Sequence, residues 1–454
     1  MSVINYRDLN GEHRYDAEYF AKRKLQMIEK LQRAKHCMIG DFSEVTDGIH
    51  TSIDYDDSSN VNLISATSPR ENYFDLSRNA RISEKAHREN PRTALRERDV
   101  ILSTVGTIGN CAVVDEKILP ANSDRHVGII RIKDRYSPYV VSSYLLSKYG
   151  RMQTQRETTG NVQPNLFLYK IKEILIPEFG ETLQKQVEKI CISALKKRGS
   201  AEAKYREAEQ MLCNELGTIN WKPRAEKKSV RNFREVLEAG RMDAEYYQLE
   251  YTDIAEKLRQ YSYESLNTAC RICDANFTPD SKTEYKYIEL ANIGNEGQIN
   301  GCTRAYGKDL PGRARRIVHC GDIIVSSIEG SLQSCALVPE EYNGALCSTG
   351  FFVIHSEKIN PETLLVLMKS WPIQALLKQS CSGTILTAFG KADLENIPLP
   401  VIREDIQKKI AQLIKESFRL REESGSMTNA AKKALETAIE QGEAEALKIL
   451  EELG

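Results

Sequence analysis

Apolar residues recur along this chain in two rhythms, and the same succession of rhythms occurs twice. Two short β-branched runs, Asp99-Val-Ile-Leu-Ser-Thr104 and Asp322-Ile-Ile-Val-Ser-Ser327, stand 223 residues apart, and each leads into a second run, Gly106–Val114 or Gly330–Val338. Apolar stretches bounded by Gly, Ser and Thr predict pairs of strands around a tight polar turn. Thr107 and Asn110, or Ser331 and Ser334, are then expected to be exposed. Later in each half the period changes to three and four, which predicts an amphipathic helix. Leu183, Val187, Ile190, Ala194, Ala201, Tyr205, Ala208, Met211 and Leu212 make the first such stripe; Ile406, Ile410, Leu413, Ile414, Ala431, Leu435, Ala438, Ile439, Leu447 and Leu450 make the second, interrupted near Ser424-Gly-Ser426. At about 1.5 Å per residue, a helix from Glu181 to Leu216 reaches roughly 50 Å. That exceeds what packing on one domain requires, so the stripe predicts a partner, and the equivalent helix of the other half is the natural one.

Motifs outside these runs repeat as well. Arg14-Tyr-Asp-Ala-Glu-Tyr-Phe20 returns as Arg241-Met-Asp-Ala-Glu-Tyr-Tyr247 at a displacement of 227, half of the 454 residues. Val61-Asn-Leu-Ile-Ser-Ala66 falls on Ile288-Glu-Leu-Ala-Asn-Ile293 at the same displacement, and Gly160–Pro177 falls on Gly383–Pro400 at 223. Each repeat then enters its helix at Gln184 or Gln407. Gly217–Lys228, with Trp221 and Pro223 among polar residues, reads as the connection. The predicted order is globular unit, long helix, linker, globular unit, long helix: a two-headed binder with approximate twofold symmetry.

Length and composition fit two or three domains. Hydrophobic residues make up 41% and no stretch approaches the roughly 18–20 apolar residues of a membrane span. Met1–Asn10 carries Arg7 and Asp8 and no apolar signal core, so a soluble, cytoplasmic protein without membrane contact is expected. Eleven cysteines scattered from Cys37 to Cys381 suit reduced thiols better than a disulfide framework.

The formal charge of −1 hides a segregation. Residues 1–227 hold 36 basic against 31 acidic side chains, and residues 228–454 hold 27 against 33. Glu436, Glu440, Glu443, Glu445, Glu451 and Glu452 in the last helix are faced by Lys448 alone, which suggests a surface for protein partners. Basic residues concentrate before the aligned strands: seven between Arg78 and Arg98 against three acidic, and five between Thr303 and His319 against one. The displacement of 223 lays Arg81 on Arg304, Lys85 on Lys308 and Arg92 on Arg315. Arginine and lysine on loops beside a sheet suit phosphate contacts, and a bidentate arginine also reads guanine. The candidate DNA contacts are Arg81, Lys85, Arg92, Arg96, Arg98, Thr107, Arg125 and His126 in the first unit. In the second they are Arg304, Lys308, Arg313, Arg315, Arg316, Ser331 and Gln333.

Catalytic constellations are missing. There is no phosphate-binding G-x-x-x-x-G-K-[ST] loop, no H-E-x-x-H and no glycine-rich dinucleotide fingerprint. Cys270-Arg-Ile-Cys273 is a lone C-x-x-C and reads as a pair of buried thiols. Asn161-Val-Gln-Pro-Asn165 reads as a turn. Binding is favoured over catalysis, with no metal and no cofactor expected on this chain.

In this organisation the chain resembles the DNA-specificity (S) subunits of type I restriction-modification systems. The resemblance rests on Arg-x-Asp-Ala-Glu-Tyr-[Phe/Tyr] at each repeat start, Asp-[Val/Ile]-Ile-[Leu/Val]-Ser before a glycine-containing turn, Gly160-Asn-Val-Gln-Pro-Asn-Leu166, and an Ile-Pro exit into a Gln-containing helix. It implies an α/β (α+β) fold with two tandem target recognition domains, long antiparallel paired helices and a pseudo-twofold internal repeat. The expected boundaries are 1–180 for the first target recognition domain, 181–217 for the first spacer helix, 218–240 for a linker, 241–402 for the second domain and 403–454 for the second spacer helix. The resemblance further implies a non-catalytic subunit that reads a bipartite, asymmetric site in double-stranded DNA. Two modification subunits methylating adenine N6, and restriction subunits, would be the partners; S-adenosylmethionine, Mg and ATP would be bound by them. The second repeat departs from the family pattern, with Gly383-Thr-Ile-Leu-Thr-Ala-Phe389 in place of Gln163-Pro-Asn165. Alternatives are a specificity subunit whose single partner combines methylation and cleavage, a coiled-coil scaffold that binds protein, and a self-contained methyltransferase or nuclease.

Overall fold

The computed structural model describes residues 16–77, 79–160, 164–226, 228–383 and 387–452. Arg14, Tyr15, Arg78, 161–163 and 384–386 of the motifs above lie outside them. The chain divides into two compact units, Met1–Arg198 with Arg421–Gly454, and Gly199–Leu420. Both dividing points fall inside the long helices, so each unit contains a segment of both.

The first stretch carries strands β1 (His36–Met38), β2 (Ser43–Asp47), β3 (Val61–Ile64), β4 (Ala80–Ile82), β5 (Val100–Ser103), β6 (Cys111–Val113), β7 (Ala121–Ser123), β8 (Val127–Ile132) and β9 (Leu175–Pro177). Its helices are α1 (Lys22–Arg33), α2 (Ile39–Phe42), α3 (Glu84–Glu89), α4 (Pro138–Leu146), α5 (Lys148–Glu157), α6 (Leu168–Lys172) and α7 (Glu181–Glu215). Helices α8 (Phe233–Ala239), α9 (Leu249–Arg259), α10 (Leu266–Ala269), α11 (Pro361–Lys369), α12 (Trp371–Ser380), α13 (Lys391–Glu395), α14 (Glu404–Gln441) and α15 (Glu443–Glu451) follow. The later strands are β10 (Tyr263–Ser265), β11 (Arg271–Ile272), β12 (Glu284–Ile288), β13 (Thr303–Tyr306), β14 (Ala314–Ile317), β15 (Ile323–Ser326), β16 (Cys335–Leu337), β17 (Leu346–Ser348), β18 (Phe351–His355) and β19 (Pro398–Pro400).

In the first unit the central sheet has the order β2-β8-β5-β6, all antiparallel; in the second it is β11-β18-β15-β16, again antiparallel. Beside it stands β4-β3-β7 in one unit and β13-β12-β17-β14 in the other, each with one parallel pair, β3 with β7 and β12 with β17. The duplication is therefore structural. One expected equivalence changes: Leu63 stands opposite Asn122 as Ile288 stands opposite Cys347, so β3 is matched by Glu284–Ile288, and the residues after Ile288 turn into a short 3-10 segment. Strand pairing sets this register, and the loosely kept polarity of Val61–Ala66 did not carry it.

Every residue of β5 and of β15 is buried. Successive side chains of a strand point to opposite faces, and both faces are covered here. Val100 and Leu102 pack with the helices, while Ile101 and Ile129 pack toward the second sheet with Ile64 and Val127. In the other unit Ile323 and Val325 face helices, and Ile324 faces Ala336 and Val353. Covered on both sides, the strands have no polar alternation.

The predicted stripe of α7 is buried almost throughout. Within the first unit Leu183, Val187, Ile190 and Ala194 pack with Met427, Ala431, Ala434 and Leu435 of α14. Ser424 Oγ donates to Ala194 O at 2.7 Å, and Gly180 N to Glu443 Oε1 at 2.6 Å, so the segments run antiparallel. Within the second unit Tyr205, Ala208 and Leu212 share a core with Ile410, Leu413 and Ile414; Ser417 Oγ donates to Ala201 O at 2.8 Å, and Arg403 pairs with Glu215 at 2.9 Å. α14 runs unbroken through Ser424-Gly-Ser426, because the small side chains let the backbones approach and Ser424 bonds across. The break comes instead at Gly442, φ 99°, before α15. The expected linker 218–240 also contains α8.

A glutamine opens each long helix and ties it to its unit. Gln184 Oε1 accepts from Ser137 N at 3.0 Å, and its Nε2 donates to Arg135 O and Phe179 O; Gln407 makes the same three contacts to Asn360 N, Lys358 O and Ile402 O. Gln184→Ala should cost the first unit about 2 kcal/mol, since two half-buried bonds and one exposed bond are lost. Gln407→Ala should cost the second unit a similar amount, read by calorimetry as a shift of one transition and not both.

Candidate nucleic-acid interface

Five-residue β2 ends at Asp47, which stands opposite Gly128 of β8. Its carboxylate takes His50 Nε2 at 2.5 Å and Arg92 Nη1 at 3.2 Å, and Arg92 also bonds Thr46 Oγ1 and Gly48 O. Burial is the largest influence on Asp47 and pushes its pKa up, but the hydrogen bonds from His50 and Arg92 together more than offset it, and the carboxyl lies below its ordinary value. Next to this cluster β7 turns into β8 through Asp124-Arg-His126. Asp124 Oδ2 holds His126 Nδ1 at 3.1 Å, and Arg125 is exposed.

Asp47, His50, Thr104, Arg125, His126, Asn165 and Phe167 line a cleft of about 400 Å³. On the other side of the β5–β6 turn a second cleft of about 470 Å³ is lined by Gly106, Thr107, Asn110, Arg151 and Pro164. The turn depends on left-handed backbone at Gly106 (φ 68°) and Gly109 (φ 88°), conformations open to glycine at little cost. Between the clefts the loop after α5 is pinched at its base: Thr159 and Asn165 exchange both backbone bonds, at 3.0 and 2.8 Å. Ser382 and Ala388 do the same, at 2.9 and 3.0 Å, so the two loops are equivalent at their bases despite Gly383–Phe389 lacking the Gln-Pro-Asn pattern. Asn165 itself is paired in bridges with Thr159 and Val105, and 161–163 of the segment read as a turn lie outside the described residues.

The candidates do not form one patch. Arg92, Arg125, His126 and Thr107 gather at the end of the central sheet that carries the clefts. Arg81 is on edge strand β4 opposite Asn62, bonding Ser59 O at 3.0 Å, and Lys85 is exposed on α3. Arg304 is on the matching edge strand opposite Lys286, and Lys308 is exposed in the following turn, so those two equivalences survive in space. Arg96 and Arg98 lie at the opposite end of β5. Arg98 pairs with Glu188 of α7 at 2.8 Å and stands over the Tyr139 ring, which makes it a fastening of the helix and removes it from the candidate contacts. Arg96 is exposed at that same end, and its backbone amide caps Asp99.

In the second unit Arg313 is exposed and 3.8 Å from Glu289, and Arg315 bonds Gly312 O and Thr278 Oγ1. Arg316 stands opposite Cys347 with its guanidinium over the Phe352 ring at 5.2 Å. Ser331 is turned inward to Ser326 and Ile328 and is not exposed as expected; Ser334 and Asn110 are half-buried too, and only Thr107 stands clear. Gln333 is exposed, with its carbonyl taken by Lys369.

Sequence reasoning missed Asp47, His50 and Phe167. Asp47 recurs as Asp274 at the displacement of 227, the one available signal. Asp274 pairs with Lys391 at 2.9 Å, and that hydrogen bond sets its lowered pKa. The carboxylate is thus kept while its partners change, His50 and Arg92 in one unit and Lys391 in the other.

No constellation for catalysis is assembled among the described residues. No three His, Cys, Asp or Glu side chains are placed to hold a metal ion. The Cys270 thiol is pushed up to about 11 by burial and Cys273 is also raised, so neither is a thiolate. No described helix is long and apolar enough to cross a membrane.

The class these features define is a duplicated α/β chain whose halves each pair an antiparallel four-stranded sheet with segments of two long antiparallel helices. Solved type I restriction-modification specificity subunits are similar to this chain along nearly its whole length. The S subunit from M. genitalium has 11% identity and a TM-score of 0.39 over 92% of this chain and 95% of its own. The HsdS subunit from Thermoanaerobacter tengcongensis has 14% identity and a TM-score of 0.29 over 90% and 97%. A chain from a structure described as underlying complex assembly and conformational transition of the type I R-M system has 13% identity and a TM-score of 0.28 over 92% and 97%. No family model and no curated protein matches the chain.

Proposed function

We propose that the chain is a non-catalytic DNA-specificity subunit in which each unit reads one half of a bipartite, asymmetric site. The single observation that carries this is the pairing of sameness and difference: cations on equivalent edge strands, Arg81 and Arg304, beside sheets whose other polar groups differ, Arg125, His126 and His50 against Lys391 and Arg316. Matched cations suit phosphates, which are the same everywhere, and unmatched groups suit bases, which are not. Two modification subunits methylating adenine N6, and restriction subunits, are the proposed partners, with S-adenosylmethionine, Mg and ATP bound on them.

The joint variant Arg125→Ala/His126→Ala should weaken binding to one half-site by about 10- to 100-fold. With Arg125 exposed and His126 half-buried on Asp124, it should lower the melting temperature by only a few degrees. Arg81→Ala should weaken all sequences alike and flatten the salt dependence by about one unit of log-log slope. Fluorescence anisotropy of the full chain on duplex DNA at several salt concentrations reads both. Sequencing of adenine methylation with and without the gene tests the whole reading; an unchanged methylome together with salt-insensitive DNA binding defeats it.

A further inference from the structure

The first unit places a large apolar side chain where its fold asks for none. Phe167 is 45% exposed and is the N-cap residue of α6, with no side-chain cap bond. Apolar residues rank lowest at that position, below Ser, Thr, Asp, Asn and Gly. The second unit follows the preference, with Gly390 as the N-cap of α13. The residue before the cap is buried in both units, Leu166 and Phe389, and its amide donates to the chain at the end of the central sheet, to Thr104 O at 2.9 Å or to Ser327 O at 3.1 Å. The two positions are therefore equivalent in space, and Phe167 serves neither the cap nor the core.

Its surroundings show what the ring can meet. Phe167 is stacked on Tyr169, with centroids 6.0 Å and planes 14° apart, and the backbone before it is tied to Thr104, so the ring is held in place before any ligand arrives. It lines the same cleft as Arg125 and His126, with Val105 and Val127 adding apolar wall. A cube of that cleft's volume, about 400 Å³, has an edge of about 7 Å, roughly two base-pair rises of duplex DNA. The major groove offers one apolar group, the 5-methyl of thymine, which phenylalanine can contact, while arginine takes guanine O6 and N7. An apolar ring beside an exposed arginine suits such a groove. An apolar protein surface would instead bury the Arg125 charge without a partner.

We propose that Phe167 determines specificity in the first unit by receiving the 5-methyl group of a thymine within about two base pairs of the base that Arg125 meets. Tyr169 is its positioning residue. The inference rests on the specificity-subunit reading. At the displacement of 223 the second unit has Gly390 and Ala392 in these places, so the effect is confined to one half-site. The test begins with selection of duplexes from a random pool by the full chain; each thymine of the selected site is then replaced by deoxyuridine, which removes the methyl group and keeps the base pair. In fluorescence anisotropy, deoxyuridine at one position of one half-site should weaken wild-type binding about 4-fold, the contribution of one buried methyl group. Phe167→Ala should bind the thymine duplex about 10-fold more weakly and no longer distinguish deoxyuridine at that position. Phe167→Leu, still apolar, should keep most of the distinction, and both variants should keep the wild-type melting temperature and response to the other half-site. No sensitive thymine in the selected site, a thymine effect that survives in Phe167→Ala, or a Phe167→Ala defect confined to binding another protein each overturns the proposal. A pool from which the wild-type chain selects no sequence defeats the specificity reading instead.

Discussion

Deleting the chain from Glu436 onward should lower the melting transition of the first unit by about 10–20 °C and leave that of the second in place. The acidic end of α14 with α15 was expected to face protein partners, but three of its carboxylates are engaged by the first unit. Glu436 Oε1 accepts from Lys148 N at 2.7 Å, Glu440 takes Tyr149 Oη at 3.0 Å and Lys148 Nζ at 2.5 Å, and Glu443 accepts from Gly180 N. Ala446 and Leu450 are buried in the same core as Leu183 and Val187. Losing those apolar groups and contacts amounts to about 5 kcal/mol, which in a unit of this size is the stated shift. Calorimetry of the truncated chain reads it, and two unshifted transitions contradict it. Acid should act on the same junction. The hydrogen bond from Lys148 holds Glu440 below its ordinary pKa, against the opposing effect of burial. Its contribution is therefore whole above about pH 4.5 and disappears as pH falls through the lower folded value. Glu440→Gln should remove that part of the acid sensitivity.

Asp99→Ala should destabilise the first unit by about 3 kcal/mol or more, and Asp99→Asn by much less. Asp99 accepts Arg96 N at 2.9 Å and pairs with Arg131 Nε at 3.3 Å, with both side chains nearly buried. Burial is the largest influence and raises the Asp99 pKa in spite of the Arg96 amide and Arg131. With the folded value raised, the group's contribution is greatest below its unfolded pKa of about 3.9 and declines as pH rises through the folded value, so its charge is not where the stability lies. What makes alanine costly is the Arg96 amide and Arg131 Nε left behind without an acceptor, while the rest of the guanidinium keeps Ala94 O at 2.7 Å. Asparagine keeps an acceptor oxygen. Equal losses for the two variants in chemical denaturation contradict this account. The second unit repeats the arrangement with a different partner: Asp322 accepts His319 N at 2.7 Å and holds His355 Nδ1 at 3.0 Å.

These cases mark how far the residues could be read. Asp99 and Asp322 were recognised as motif positions before paired strands, and the structure gives them a supporting part beneath the sheet. Gln184 and Gln407 likewise proved to be ties between helix and unit. Arg98 looked like one more cation in a basic run, yet its partner Glu188 is 90 residues away on α7, a relation no local pattern contains. Asp47 was missed because a single aspartate after a strand has no periodic signature; only its place beside Arg92 and His126 gives it meaning.

The amino-acid order by itself determined the duplication, the strand runs and the long amphipathic helices, since these follow from periodicity and from local similarity at a constant displacement. Tertiary structure alone decided which cations stand together at the clefts and which are spent on carboxylates. It alone decided that each unit is completed by part of the other repeat's helix. The physical reason is one of range: helix and strand period are set by neighbours within a few residues, whereas ion pairs and shared cores join residues hundreds of positions apart, and their partners are chosen only when the chain closes on itself.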